Sequence, residues 1–404
     1  DVYKRQLPHK PWGMLTGVRP GKLMTPLLAQ GLNDAQAARY FERHYDVAPA
    51  RAALVVRTAH ATQRAMESLG SKDVCLYVGI PFCPTRCAYC SFVSQSVEKS
   101  MALVPEFLQA LAREIAATAE AVHRAGLRVV SLYIGGGTPT SLSAPQLEQL
   151  MSHIAKTFDL AKLDEYTVEA GRPDCTDAEK LRIIKQYGAT RISINPQTFS
   201  DEVLRNIGRR HTAQDIVDCF AAARAAGHTN INMDLIAGLP GDTVEGFEAS
   251  LRKAIALDPE NITVHTLTLK RASNIVVEHR AADYADVAAM LDKCRLLADA
   301  GYRPYYMYRQ KGTLQNLENI GWAKPGFECL YNIYIMEEVH TILSAGAGGS
   351  TKLVIPGQRR GKIERIFNFK YPTEYIDRFA ELLNRKKAVE DFYAHYTSQT
   401  LCQP

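Results

Sequence analysis

A regular alternation of strand-like and helix-like segments between residues 74 and 268 constrains the fold of this chain more than any other feature. Short apolar runs bounded by turn residues predict strands, and longer segments with apolar residues every three or four positions predict helices. Strands separated by helices pair in parallel and need both sheet faces covered, so the pattern predicts an α/β fold with a partial (βα)6 barrel of the TIM type. The predicted strands cover 74–80, 128–134, 165–169, 191–194, 230–235 and 262–268.

Capping signals set the predicted helix boundaries. Ser143 followed by Gln146, and Thr176 followed by Glu179, match capping boxes at helix N-termini, and Gly188 is expected to end the second of these helices. Because the loops after the strands all emerge at one end of a parallel barrel, we expect the chemically active side chains there.

The rest of the chain divides into flanking segments. Residues 1–6 match translated sequencing-adapter DNA and the chain lacks an initiator Met, so we leave them out of the fold prediction and expect the natural N-terminus to be missing. Residues 7–70 predict an accessory helical segment, with Pro20 and Pro49 as breakers. We assign 71–310 to the barrel and 311–404 to a C-terminal α+β module that covers the substrate, within which 311–330 is expected to be a loop.

Composition excludes several classes of protein. Apolar residues make up 46% and charged residues 23% of the 404 residues, which is typical of a globular chain rather than a disordered one. No apolar run approaches the ~18 residues that span a bilayer. A net charge of +5 is weak evidence for a nucleic-acid partner. Six of the nine cysteines are scattered, which is typical of a reducing cytosol, so we expect a cytoplasmic protein.

The other three cysteines form a cluster directly after the first predicted strand. Cys83, Cys87 and Cys90 stand on one short loop, with spacings of x3 and x2. A structural zinc site needs four protein ligands, and the nearest downstream histidine is His123. A [4Fe–4S] cluster held by three thiolates leaves one iron open to a further ligand. The pattern favours this cluster, with a structural zinc ion as the alternative.

This cysteine loop and the residues before it, 77–82, resemble the radical S-adenosylmethionine (SAM) superfamily. The resemblance extends from about 73 to 350 and is greatest to the oxygen-independent coproporphyrinogen III oxidase family. Residues 12–20, 307–310 and 316–319 are similar to its Gram-positive coproporphyrinogen dehydrogenase (HemZ) branch.

The resemblance implies a set of SAM contacts. The open iron would chelate the SAM amino and carboxylate groups, and the glycine loop after the second strand would receive the methionyl group. A backbone without Cβ atoms allows such close approach. In the family a second SAM lies beside the first. The positions that match SAM-binding residues are Tyr77, Tyr89, Gly136, Gly137, Thr138, Glu169, Gln197, Arg209, Asp234 and Thr268.

The resemblance also implies an activity in haem biosynthesis. One electron from a low-potential donor such as a flavodoxin or ferredoxin would cleave SAM to methionine and a 5′-deoxyadenosyl radical. The radical would remove a hydrogen atom from a propionate of coproporphyrinogen III, and loss of CO₂ and a further electron would leave a vinyl group of protoporphyrinogen IX. Such an abstraction needs positioning and exclusion of water rather than an acid–base residue.

Several side chains are candidates to contact this substrate. His265 lies on the last predicted strand, where a satisfied core histidine is the alternative interpretation. The four propionates need cations, although solvated surface charge would also explain each basic candidate. The basic candidates are Lys270, Arg271, Arg303 and Arg309.

Two other functions were weighed. Haem chaperones of the same family bind SAM and haem without decarboxylating porphyrinogen, and Ser91-Phe92 after the third cysteine is similar to them. These chaperones carry His-Asn-x-x-Tyr-Trp, however, where this chain has Tyr331 in place of the histidine and Met336 in place of the tryptophan. The dehydrogenase is therefore favoured. A zinc-dependent barrel hydrolase lacks the His and carboxylate set at the strand ends that it would need.

Overall fold

The computed structural model of the protein describes residues 10–17, 19–90, 95–96, 100–270, 273, 286–355 and 363–400, with backbone only at 95–96 and 397–400. Residues 1–6, Ser91-Phe92 and Arg271 lie outside the described residues. The described strands are β1 (Asp73–Ile80), β2 (Phe82–Cys83), β3 (Gln95–Ser96), β4 (Arg128–Gly136), β5 (Glu165–Glu169), β6 (Arg191–Ser193), β7 (Ile231–Ala237), β8 (Asn261–Thr266), β9 (Arg303–Arg309), β10 (Glu318–Ala323), β11 (Ile342–Ala345), β12 (Ser350–Leu353) and β13 (Glu364–Phe367).

A mixed, eleven-stranded sheet forms the centre of the fold. Its strand order is β13-β12-β11-β1-β4-β5-β6-β7-β8-β10-β9, and β2 and β3 form a separate small parallel pair. The run from β11 through β1 and β4 to β8 is parallel, and the strands beyond it on both sides are antiparallel. The six predicted strands and their parallel pairing are confirmed. Within the described residues β13 and β9 do not pair with each other, so the sheet is open.

Helices cover the sheet as the apolar periodicity predicts. The helix Val104–Arg124 buries Phe107, Leu111 and Ile115 along one face. No helix of the described chain is both long and apolar enough to cross a membrane. The described helices are Gly21–Ala29, Asp34–Tyr45, Pro49–Glu67, Val104–Arg124, Ala144–Thr157, Ala178–Gln186, Asp201–Asn206, Ala213–Ala225, Val244–Ala256, Val287–Asp292, Arg295–Asp299, Leu330–Glu337, Pro372–Asp377 and Phe379–Thr400.

Two helix starts differ from the sequence prediction. The capping box at Ser143 is present, but the helix Ala178–Gln186 is capped by Asp177, whose side chain accepts from the Lys180 amide. Thr176 instead donates its hydroxyl hydrogen to Thr140, 2.8 Å away. Pro49 begins a helix rather than breaking one, because a first-turn residue needs no amide hydrogen.

The segment predicted as a loop at 311–330 contains the buried strand β10. The Gly and Asn residues of this segment are typical of loops, so the sequence did not predict the strand. Tertiary contacts explain why the strand forms. A Cβ on Gly321 would lie 1.9 Å from the Tyr306 ring, so only glycine lets the neighbouring strand β9 pack here. Glu318 is fully buried, and Trp12 donates to it over 2.7 Å, with Arg51 at the same distance. The N-terminal segment therefore closes over this hairpin.

Strands of the C-terminal part extend the central sheet. β11 pairs with β1, with Cys75 opposite Ile342, and β12 and β13 continue the sheet outward. The predicted boundary at 310 lies inside the β9–β10 hairpin. The reason is physical: β1 would otherwise be an edge strand with unpaired backbone groups, and β11 satisfies them.

Candidate functional site

A cavity of about 350 Å³ opens at the C-terminal ends of the central strands. Its volume falls within the range of small-molecule sites. It is also where a parallel α/β sheet places its chemistry. The residues predicted from the sequence that line it are Tyr89, Cys90, Glu169, Gln197, Asp234, His265, Thr268 and Lys270.

The cysteine loop lies beside this cavity. β2 ends at Cys83, and the loop after it is fixed to a turn of the barrel by the Ala88 amide, which donates to the Ile207 carbonyl over 3.0 Å. Cys83 and Cys87 are buried and Cys90 is partly exposed at the cavity wall. All three side chains carry thiols. One buried loop thus presents three soft ligands next to a small-molecule cavity.

These residues fit an iron–sulfur cluster better than a single metal ion. In the described part of the chain, no three His, Cys, Asp or Glu side chains are grouped as ligands of one ion. A [4Fe–4S] cluster takes one thiolate on each of its irons, so its ligands need not converge on a point. Gly137 leaves room beside the loop, since a Cβ there would lie 3.0 Å from the Cys83 sulfur.

Glu169 lies beside the glycine loop, where a Cβ on Gly135 would be 2.9 Å from its carboxyl carbon. It ends β5, and the Tyr133 hydroxyl donates to its carboxylate over 2.6 Å. Burial raises the pKa of Glu169 to about 7, an effect that the Tyr133 hydrogen bond only partly offsets and that nearby Asp234 adds to. A carboxylate with this pKa is suited to bind a cationic group, whose charge would favour the ionised form.

Asp234 is a second acidic residue that lines the cavity. Asn232 donates to its carboxylate over 2.8 Å, and His265 lies 3.7 Å from the other oxygen. Burial disfavours the ionised form, but these partners outweigh it and lower the pKa of Asp234. Tyr308 in turn lies 3.3 Å from His265, so the histidine is held between two polar neighbours at the cavity wall.

Gln197 occupies a strained backbone position. Its φ of 66° lies in the left-handed region, which is costly for a residue other than glycine. Two backbone hydrogen bonds to β7 hold it, from its own amide to the Asp234 carbonyl and from the Ile236 amide to its carbonyl. Strain of this kind at a cavity wall is typical of functional sites.

Other predicted SAM contacts are not among the residues that line the cavity. The Tyr77 ring is partly buried, and its centre lies 6.1 Å from that of Tyr133 and 6.2 Å from that of Tyr331. The amides of Gly137 and Thr138 donate over 2.7 Å to the carbonyls of Ile80 and Phe82. The glycine loop, including Gly136 with its φ of 112°, therefore packs against the strands that lead into the cysteine loop.

Two of the predicted arginines hold loops instead of lining the cavity. Arg209 donates to the Tyr89 hydroxyl over 3.1 Å and to the Asn195 carbonyl over 3.0 Å, so it orients an aromatic wall residue. Arg309 donates to the Leu15 carbonyl over 2.6 Å and lies over the Trp12 ring. The structure therefore does not place Arg309 at the cavity, because its guanidinium is engaged in these contacts with the N-terminal segment. Arg303 is exposed at the opposite end of β9.

Sequence reasoning missed Arg191. It begins β6, is 1% exposed and lines the cavity. Its Nε and Nη2 atoms have no hydrogen-bond partner among the described residues, and the Ser193 hydroxyl beside it also has none. Two nitrogens of a buried guanidinium left without hydrogen-bond partners are costly, which indicates a site for an anion or water. The sequence did contain a signal for this residue, because an arginine inside a predicted strand of a buried sheet is unusual.

Comparison with known proteins agrees with this geometry. The Radical SAM superfamily matches residues 77–254. The oxygen-independent coproporphyrinogen-III oxidase-like protein HemZ of Bacillus subtilis is 39% identical over 96% of this chain and 79% of its own length. The haem chaperone HemW of the same organism is 34% identical over 73% of this chain and 76% of its own. In structure, the coproporphyrinogen III oxidase HemN of Escherichia coli matches with a TM-score of 0.60 and 24% identity, over 80% of this chain and 72% of that one.

The HemN match supports the fold alone, and the HemZ match covers nearly the whole chain. At 39% identity over 96% of this chain, the HemZ match establishes the family. The chain belongs to the radical SAM superfamily and, within it, to the oxygen-independent coproporphyrinogen III oxidase family.

Proposed function

We propose that this protein is a coproporphyrinogen dehydrogenase, a radical SAM oxidoreductase that converts two propionates of coproporphyrinogen III to the vinyl groups of protoporphyrinogen IX without oxygen. The observation that carries the proposal is the cavity itself, which is lined by Cys90 of the cysteine loop, by the carboxylates of Glu169 and Asp234 and by the basic side chains of Arg191 and Lys270. The proposal includes a cytoplasmic location and a flavodoxin or ferredoxin as electron donor.

Cys83, Cys87 and Cys90 would hold a [4Fe–4S] cluster whose fourth iron is open to SAM. When bound and reduced, the cluster and SAM supply one-electron, hydrogen-abstracting chemistry. The chain's own residues then bind and orient. Acidic Glu169 and Asp234 favour the cationic groups of SAM, and Gln197 and Thr268 offer neutral hydrogen-bonding groups near them.

Basic side chains line the same cavity. Among the described lining residues, Arg191 and Lys270 carry permanent positive charge, and His265 lies 3.7 Å from Asp234. Arg191 is buried and Lys270 is exposed at the rim. This distribution fits an anionic substrate that enters past Lys270 and places one carboxylate against Arg191. Buried walls on the central strands keep water from the reacting carbon.

The decisive experiment is an anaerobic incubation with SAM, a low-potential reductant and coproporphyrinogen III. We expect vinyl-containing product together with methionine. SAM cleavage without any vinyl product would contradict the proposal.

Glu169 predicts a pH dependence of SAM binding. The carboxyl must be ionised to hold a cation, and its pKa is raised to about 7. Affinity should therefore level off above pH 7 and fall by up to about tenfold per pH unit below it. Anaerobic equilibrium dialysis between pH 6 and 8 measures this. The control is Glu169→Gln, which lacks this titration, and identical pH profiles for the two proteins would refute the prediction.

Arg191 predicts a loss of substrate recognition. Arg191→Gln should lower kcat/KM for coproporphyrinogen III about tenfold to a hundredfold, as expected for losing a hydrogen bond to a charged group worth about 1.5–3 kcal/mol. Arg303→Gln is the matched control, because Arg303 is exposed and away from the cavity. An equal loss of kcat/KM in both variants would mean that Arg191 does not contact the substrate.

The haem chaperone is the second candidate, favoured by the 34% identity to HemW. Tyr331 stands where those chaperones carry the histidine. It is buried and stacks on Tyr133 with ring centres 4.5 Å apart. Addition of haem should therefore give no stable stoichiometric complex. Tight haem binding without vinyl formation would favour the chaperone.

A further inference from the structure

Arg172, which follows β5, contacts the cysteine loop directly. It is 3% exposed, and its Nη1 atom donates to the Cys87 sulfur over 3.4 Å. The same guanidinium donates to Thr85 of the loop, to the hydroxyl over 2.9 Å and to the carbonyl over 3.3 Å. One buried side chain thus holds both a predicted cluster ligand and the backbone that carries it.

Asp174 fixes this guanidinium in place. Arg172 donates to its two carboxylate oxygens over 2.9 and 2.7 Å, a bidentate pair that fixes the plane of the arginine. Buried His211 lies 3.8 Å from the same carboxylate on the far side. Because Asp174 holds Nε and one Nη, the remaining Nη1 hydrogens are left directed at the loop.

The contact has an electrostatic consequence for a cluster on this loop. Reduction adds one electron, and so one negative charge, to a buried group that thiolate ligands already make negative. A hydrogen bond from a fixed cation to a ligand sulfur stabilises the more negative state more than the oxidised one. Hydrogen bonds to the sulfurs are among the factors that set iron–sulfur reduction potentials.

We propose that Arg172 is a positioning residue that sets the reduction potential of the cluster through its hydrogen bond to Cys87. The inference rests on the iron–sulfur part of the proposed function and not on the identity of the substrate. Arg172 makes the cluster easier to reduce than the same loop would without it, and Asp174 keeps its geometry fixed.

The test is a potentiometric titration of the reconstituted protein without SAM, with dithionite as electron source and EPR of the reduced cluster as readout. In Arg172→Gln, the ratio of reduced to oxidised cluster at a fixed potential should fall about tenfold, a shift of about 59 mV for a one-electron couple. Arg172→Lys keeps the positive charge but loses the planar, bidentate hydrogen-bonding geometry of the guanidinium, so we expect a smaller shift of the same sign. Arg205→Gln, at an exposed position, is the matched control and should leave the potential unchanged.

Iron content separates the possible failures. A fully loaded Arg172→Gln protein with the wild-type potential would overturn the inference while leaving the cluster intact. If that variant takes up no iron, Arg172→Lys decides, and an unshifted potential in it would also overturn the inference. A wild-type protein that itself takes up no iron would overturn the proposed function, and the inference with it.

Discussion

Replacing Cys87 by Ala is expected to leave the anaerobically reconstituted protein without its iron–sulfur cluster and without reductive cleavage of SAM. Each of the three thiolates binds a different iron, so losing one leaves two irons open and the cluster unstable. Cys87 is buried, and Arg172 donates to its sulfur. We expect the iron content to fall from about four atoms per chain to a small remainder, and methionine formation to fall to the background rate.

Cys75→Ala is the matched control for this prediction. Cys75 lies in β1, eight positions before Cys83, and is fully buried beside His340. Because it is a core residue, its loss should leave iron content and SAM cleavage near wild type. Unchanged iron in Cys87→Ala, or loss of iron in Cys75→Ala, would mean that the cluster ligands are assigned incorrectly.

Replacing Glu114 by Ala is expected to cause the largest loss of stability. Glu114 is fully buried on the helix Val104–Arg124. It accepts from the Gly346 amide over 2.8 Å, from Asn368 over 2.7 Å and from the Tyr375 hydroxyl, and Lys386 lies 2.8 Å away. Removing the carboxylate leaves the buried Lys386 ammonium without its ion-pair partner and three hydrogen-bond donors without this acceptor. Breaking a buried pair in this way costs about 3–5 kcal/mol.

Urea denaturation measures this effect as a shift of the unfolding midpoint. Glu120→Ala on the same helix is the matched control, since its pair with Arg124 is exposed and should contribute under ~1 kcal/mol. The double variant Glu114→Leu with Lys386→Met should recover part of the loss, because it leaves no unpaired charge. A Glu114→Ala protein as stable as Glu120→Ala would contradict the role of this network.

Local patterns in the sequence accounted for the central fold. The alternation of segments predicted the six parallel strands, because side-chain periodicity reports which face of an element is buried. The same pattern placed Glu169, Gln197 and Asp234 at strand ends, and these three meet around the cavity. The strand β10 was missed, since its identity depends on Gly321 meeting the Tyr306 ring, a contact between two strands.

The sequence also could not predict the roles of side chains that depend on partners distant along the chain. Arg309 and Arg191 look alike as isolated basic residues, yet the first holds Trp12 and the N-terminal loop and the second lines the cavity. Residue type sets the charge of a side chain, but only packing decides whether that charge is consumed by the protein or left for a ligand.

The sequence by itself determined the order of the barrel elements, the loop of three cysteines and the residue types at the strand ends, because each follows from spacing along the chain. Only the tertiary structure decided that β11 completes the sheet beside β1, that Glu114 contacts the C-terminal helices, and that Arg172 reaches Cys87. These contacts join residues between 85 and 272 positions apart, and no local periodicity carries information about such partners.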